Sequence, residues 1–116
     1  RQILAGIIDF IDKHGSSRFS DVDATEVDAK VFNRAGYWEL VAGKRLYLFN
    51  KSALIEAAHG FGLTRVVKAL EVGGALAKRD TDRDSRKTKK YRIPAGGSAR
   101  LYVIDPEAMD SEGGGA

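Results

Sequence analysis

The chain of 116 residues contains no cysteine. That removes disulfides and every thiolate metal site, and it fits a reducing, cytoplasmic setting. Histidine is nearly absent too: His14 and His59 are the only two, each near the end of an expected helix, where a cation suits the helix dipole. No Ser, Asp or Glu stands at a spacing that would give either one a catalytic partner. Long apolar runs are missing, since nothing approaches the ~18 residues a bilayer span needs. The stretch Ile3 to Ile11 also lacks the charged flank and cleavage site of a signal peptide, so no membrane partner is expected.

Three segments resemble ligand loops and fail on spacing. Between Gly36 and Lys44 the glycines are seven apart where a phosphate loop needs five, and Arg45 replaces the Ser or Thr that would hold magnesium. Gly60-Phe61-Gly62 lacks the third glycine of a dinucleotide loop and precedes no parallel βαβ unit. Asp80, Asp82 and Asp84 match the first, third and fifth positions of a calcium loop. However, Ser85 stands where glycine is required and Tyr91 where a bidentate Glu is required. No catalytic residue, metal site or cofactor is expected, and a small enzyme is disfavoured.

What the chain does contain is concentrated positive charge. Leu76 to Ile104 carries nine of the 19 basic residues against three acidic ones, although the net charge overall is only +3. Each cation that neutralises a phosphate releases condensed counterions, so such a cluster is a candidate nucleic-acid contact. The length and the 43% hydrophobic content suit one compact domain, expected over residues 1–107, with a flexible tail over 108–116. A start at Arg1-Gln2 without Met reads as a piece cut from a larger protein.

Helical periodicity of apolar residues at positions 3, 4, 7, 8 and 11 predicts a first helix over 2–14, with Gly15 as a left-handed cap. Residues 16–28 are polar, with Phe19, Val22 and Val27 as isolated anchors, and predict a loop with a strand or helical turn. A hairpin is expected with strands near 37–41 and 46–49 and its turn at Gly43. Asn50 can cap a second helix over 51–59 that ends at Gly60. Thr64 is the expected N-cap of a third helix over 65–73, with Leu63, Val67 and Leu70 on one face and Arg65, Lys68 and Val72 opposite. Strands follow at 76–78, 89–93 and 99–104, joined by a charged tip and the turn Pro94-Ala95-Gly96-Gly97.

A helix followed by a basic hairpin is the order of a winged helix. The expected fold is α+β: a three-helix helix-turn-helix core on a small antiparallel sheet, with an extra hairpin before the second helix and an extra strand after the wing. Arg65 and Lys68, at i and i+3, have the geometry to reach groove edges and phosphates. Lys78, Arg79, Arg83, Arg86, Lys87, Lys89 and Lys90 would contact backbone. The three aspartates would moderate this charge and hold the tip extended. Trp38, Tyr37 and Tyr47 fit a core or cross-strand role better than base stacking. The rival to DNA binding is a protein-interaction module, marked by Trp38, Tyr37 and Phe61 if they form one exposed patch.

The runs His14-Gly15-Ser16-Ser17-Arg18-Phe19, Arg34-Ala35-Gly36-Tyr37 and Leu46-Tyr47-Leu48-Phe49 add a resemblance, together with Tyr91-Arg92-Ile93-Pro94 and Arg100-Leu101-Tyr102-Val103-Ile104. With the third helix, they resemble the C-terminal domain of mobile-element primase-helicase proteins, the replication ATPases of phage and plasmid type. The resemblance covers roughly residues 1–107. It implies a non-catalytic DNA-binding domain that places a replicative helicase or primase on its template or origin. The ATPase and primase domains would then lie upstream as partners, and docking on that helicase body is the alternative role.

Overall fold

Ile3, Ile7, Phe10 and Ile11 make a buried stripe along helix α1, Gln2–His14, and this stripe is the floor on which the other helices settle. The structure is a computed structural model that describes residues 2–25 and 31–109; the expected anchor Val27 and most of the expected tail lie outside the described residues. Gly15 does not take the left-handed form. It is needed for space, because a Cβ there would lie 2.6 Å from the Ile11 carbonyl oxygen and 3.3 Å from the Tyr47 hydroxyl.

Strand β1, Phe19–Asp21, pairs in parallel with β2, Gly36–Val41, so the sheet is mixed and not purely antiparallel as expected. β2 returns through Ala42 and Gly43, both at positive φ (51° and 82°), into β3, Lys44–Phe49. Two successive left-handed residues form the turn whose twist matches a two-residue hairpin. Helix α2, Lys51–Ala57, starts at Asn50, whose side-chain oxygen accepts the Ala53 N–H at 2.8 Å. Helix α3, Leu63–Val72, then leads to β4, Leu76–Lys78, β5, Lys89–Arg92, and β6, Ser98–Ile104. A last helical turn, residues 106–109, carries Met109 into the core, one residue past the expected start of the tail.

The sheet runs β1-β2-β3-β6-β4, with β5 also paired to β6. β6 is therefore not an appended strand. Its C-terminal half joins β3 to β4, and its N-terminal half pairs with β5. Expected as a β4–β5 hairpin, the charged tip instead leaves β4 and returns as β5, two strands that each pair with β6.

Both faces of the sheet are covered. On one, Phe19, Tyr47, Phe49 and Ile104 meet the three helices, with Phe10, Phe19 and Phe49 in edge or tilted ring contact. On the other, Tyr37, Leu46, Leu48, Leu101 and Val103 gather with Val22 and Tyr91. The Tyr91 hydroxyl donates to Glu39 at 2.8 Å, tying the β5–β6 arm back to β2. Burial, then this hydrogen bond, pushes the Tyr91 phenol above its ordinary range.

Arg18, Arg34 and Gly36, from the motif runs, serve this packing. Arg18 donates to both Glu56 carboxylate oxygens at 2.9 Å and to the Asn33 carbonyl at 2.6 Å. Arg34 donates to Ser20 Oγ at 2.7 Å and to the Gly36 carbonyl at 3.0 Å, while lying over the Tyr37 ring. Gly36 itself presses against β3 so closely that a Cβ would sit 1.7 Å from the Leu48 carbonyl oxygen.

Candidate nucleic-acid interface

Helix α3 begins two residues before the expected start. Gly62, extended at φ −69° and ψ 155°, is the N-cap, and its carbonyl accepts the Val66 N–H at 3.0 Å. Thr64 thus lies inside the first turn and caps nothing. Val66, Val67 and Leu70 are the buried face, and Arg65 and Lys68 are exposed. The Arg65 guanidinium rests 5.1 Å from the Phe61 ring centroid and faces the α1 side. Lys68 borders a different groove as well, shared with Thr64, Glu71, Lys87 and Tyr102.

The charged segment after β4 is a folded loop, stapled at its base by Asp80. The Asp80 N–H donates to the Thr88 carbonyl at 2.9 Å. Its carboxylate accepts the Lys90 N–H at 2.9 Å and the Arg100 guanidinium at 3.1 Å. The Lys90 amide first, then Arg100, holds the Asp80 carboxyl below its ordinary range. Arg86 does the same to Asp82 across 3.3 Å. These aspartates therefore fold the segment on itself instead of holding it extended. Two carbonyl contacts from Arg79, to Asp80 and to Arg86, close the loop further.

One ion pair ties this loop to α3. Lys87 Nζ lies 2.6 Å from Glu71 Oε2, and the Lys87 hydrogen bond is what chiefly lowers the Glu71 carboxyl. This contact brings Lys87 to the groove bordered by Lys68. Lys78 points elsewhere, donating to Glu39 at 3.4 Å on the second face of the sheet. Lys89 leans over the Tyr91 ring at 5.4 Å. Along β5 the alternation is plain: Tyr91 is buried, while Lys90 and Arg92 face solvent.

The nine expected site residues thus divide by partner. Lys78, Arg86 and Lys87 are ion-paired, to Glu39, Asp82 and Glu71. Arg65, Lys68, Arg79, Arg83, Lys89 and Lys90 form no ion pair among the described residues. Arg92, exposed on β5, and Glu71, which borders the groove of Lys68 and Lys87, were not singled out as site residues from the sequence. Arg92 had a usable signal in the period-two pattern of its strand, whereas Glu71 had none. Tyr37 is buried, Trp38 is stacked under Arg45 at 3.9 Å and Phe61 is stacked under Arg65, so the three make no common aromatic patch.

No family model, curated protein or solved structure matches this chain.

The surface itself offers phosphate chemistry. Exposed ammonium and guanidinium groups sit on a helix and on an adjoining strand and loop, with the loop fixed by hydrogen bonds at its base. A loop held at its base loses less backbone freedom on binding a polyanion than a loose tail would. No described helix is long and apolar enough to cross a membrane.

Proposed function

We propose that this domain binds DNA without catalysing its chemistry, as a winged-helix module of a larger replication helicase or primase. The element order supports the fold reading. Helices α1, α2 and α3 are followed by β4, β5 and β6, and the β2–β3 hairpin is interposed before α2. In this reading α3 approaches a groove while the 79–92 segment tracks the phosphates alongside. The replication context comes from the resemblance of the motif runs to mobile-element primase-helicase proteins, whose ATPase and primase centres would act upstream.

The observation that carries the proposal is that Lys68 of α3 and Lys87 of the charged loop border one groove. Binding is expected to weaken steeply with salt. Replacing Arg83, Lys89 and Lys90 together with Ala should flatten the slope of log K against log salt by up to about 0.9 for each lost duplex phosphate contact. A mobility-shift series with single-stranded, duplex and forked probes at two salt concentrations reads both effects. A slope unchanged by the triple substitution would remove the segment from the interface.

A further inference from the structure

A second surface, distinct from the charged segment, lies in the seam between α1 and α3. It is a cleft of about 500 Å³ lined by Ile3, Leu4 and Ile8 from one helix and by Ala69 and Val72 from the other, with Met109 beside them. Val72 is 77% exposed, although it is apolar and sits on an ordered helix. Arg65 and Lys68 line the same cleft, and among the described residues no Asp or Glu does. Residues 65, 68 and 72 are spaced i, i+3 and i+7, so the cations and the exposed valine share one side of α3.

Such a lining selects its occupant by two criteria together, apolar surface and negative charge. DNA meets only the second, since Leu4, Ile8 and Val72 give phosphates nothing. A second copy of the same cleft, brought up across a two-fold axis, would set Arg65 and Lys68 against themselves. Residues Asp110 to Ala116 supply acid but no large apolar side chain. A protein segment with an apolar stripe and acidic flanks satisfies both criteria, and a groove between two helices takes such a segment as a helix.

We propose that the α1–α3 cleft docks an acidic amphipathic helix of a partner protein. Val72 and Leu4 would receive its apolar stripe, and Arg65 and Lys68 would pair with its flanking carboxylates. The cleft shares Lys68 with the groove proposed for DNA, and a test run without DNA reads the peptide contact by itself.

The test uses fluorescence anisotropy with three labelled helical peptides and the whole 116-residue chain, in the absence of DNA. One peptide has Leu at i, i+3, i+4 and i+7 with Glu flanks, the second keeps the Leu stripe with Lys flanks, and the third keeps Glu but replaces Leu with Ser. The first should bind about tenfold tighter than either control. Val72→Glu, at an exposed position, should abolish that advantage while leaving the thermal unfolding midpoint in place. Arg65→Glu should shift the preference toward the Lys-flanked peptide. Equal binding of all three peptides, or indifference to Val72→Glu, would overturn the proposal. So would self-association lost on Val72→Glu, which would make a second copy the occupant. Peptide binding seen only after deletion of residues 110–116 would make the chain's own terminus the occupant, with the same result.

Discussion

Lys87 and Glu71 lie 2.6 Å apart, one on the charged loop and the other on the exposed side of α3. Both side chains are about one-third exposed, so water screens their attraction, and the pair matters more for charge layout than for stability. Glu71 sits within the fields of Lys87, Lys68 and Arg79. A phosphate entering this groove meets a carboxylate among its cations. Glu71→Gln keeps the side-chain length, removes the charge and releases Lys87. It should raise DNA affinity several-fold at low salt and steepen the salt slope by about 0.9, one added phosphate contact. A fall in affinity would instead make Glu71 the group that positions Lys87. The cations were legible in the sequence, but their partners were not, because Glu71 is 16 residues from Lys87 and Glu39 is 39 from Lys78. Only Asp82 and Arg86, four apart, had a spacing that reads directly. Asp80, expected to dilute charge, turned out to be a staple for the same reason: Arg100 reaches it across 20 residues.

Among the elements, those set by local chemistry were legible and those set by pairing were not. The α1 stripe, the Asn50 cap and the turn at Gly43 each follow from residues within one turn of each other. The choice of β6 as common partner for β3, β4 and β5 does not, because several short runs can pair in more than one way until burial decides. β1 is three residues long and lies in a polar stretch, so its parallel pairing with β2 left no periodic trace. Gly36 shows how tightly the β2–β3 pairing is specified. A Cβ on Gly36 would stand 1.7 Å from the Leu48 carbonyl oxygen, and both atoms belong to the β2–β3 ladder, so no rotamer change relieves the clash. Gly36→Ala should cost about 3 kcal/mol or more, read as a lowered urea midpoint. Gly62→Ala is the control, since its Cβ meets nothing within 4 Å and its φ is ordinary. It should cost under about 1 kcal/mol, the loss expected at an N-cap glycine. Equal and small losses at the two sites would mean that β2 and β3 part easily.

For the molecule as a whole, one sheet serves two cores: Leu48 and Phe49, neighbours on β3, are both fully buried on opposite faces. The expectation of helices on one side of a sheet anticipated only the first core, because the second depends on the β5–β6 arm reaching back to Glu39. Polar links hold the periphery of this arrangement, and four carboxylates in them are held below their ordinary values. Arg18 lowers Glu56, Lys87 lowers Glu71, the Lys90 amide and Arg100 lower Asp80, and Arg86 lowers Asp82. In the unfolded chain these groups return to about 4.5 for Glu and 3.8 for Asp. The folded state therefore takes up these protons at lower pH than the unfolded state does. Their stabilisation is complete above the unfolded values and is lost as pH falls through the lowered ones. The thermal midpoint should be nearly level from about pH 7 to pH 5 and then decline. Glu56 dominates this in structural terms, because its two hydrogen bonds from Arg18 tie α2 to the segment before β1. Glu56→Gln should lower the midpoint at neutral pH and flatten the acid limb. A variant curve parallel to the parent at every pH would show that the Arg18–Glu56 bridge contributes no charge-dependent stability.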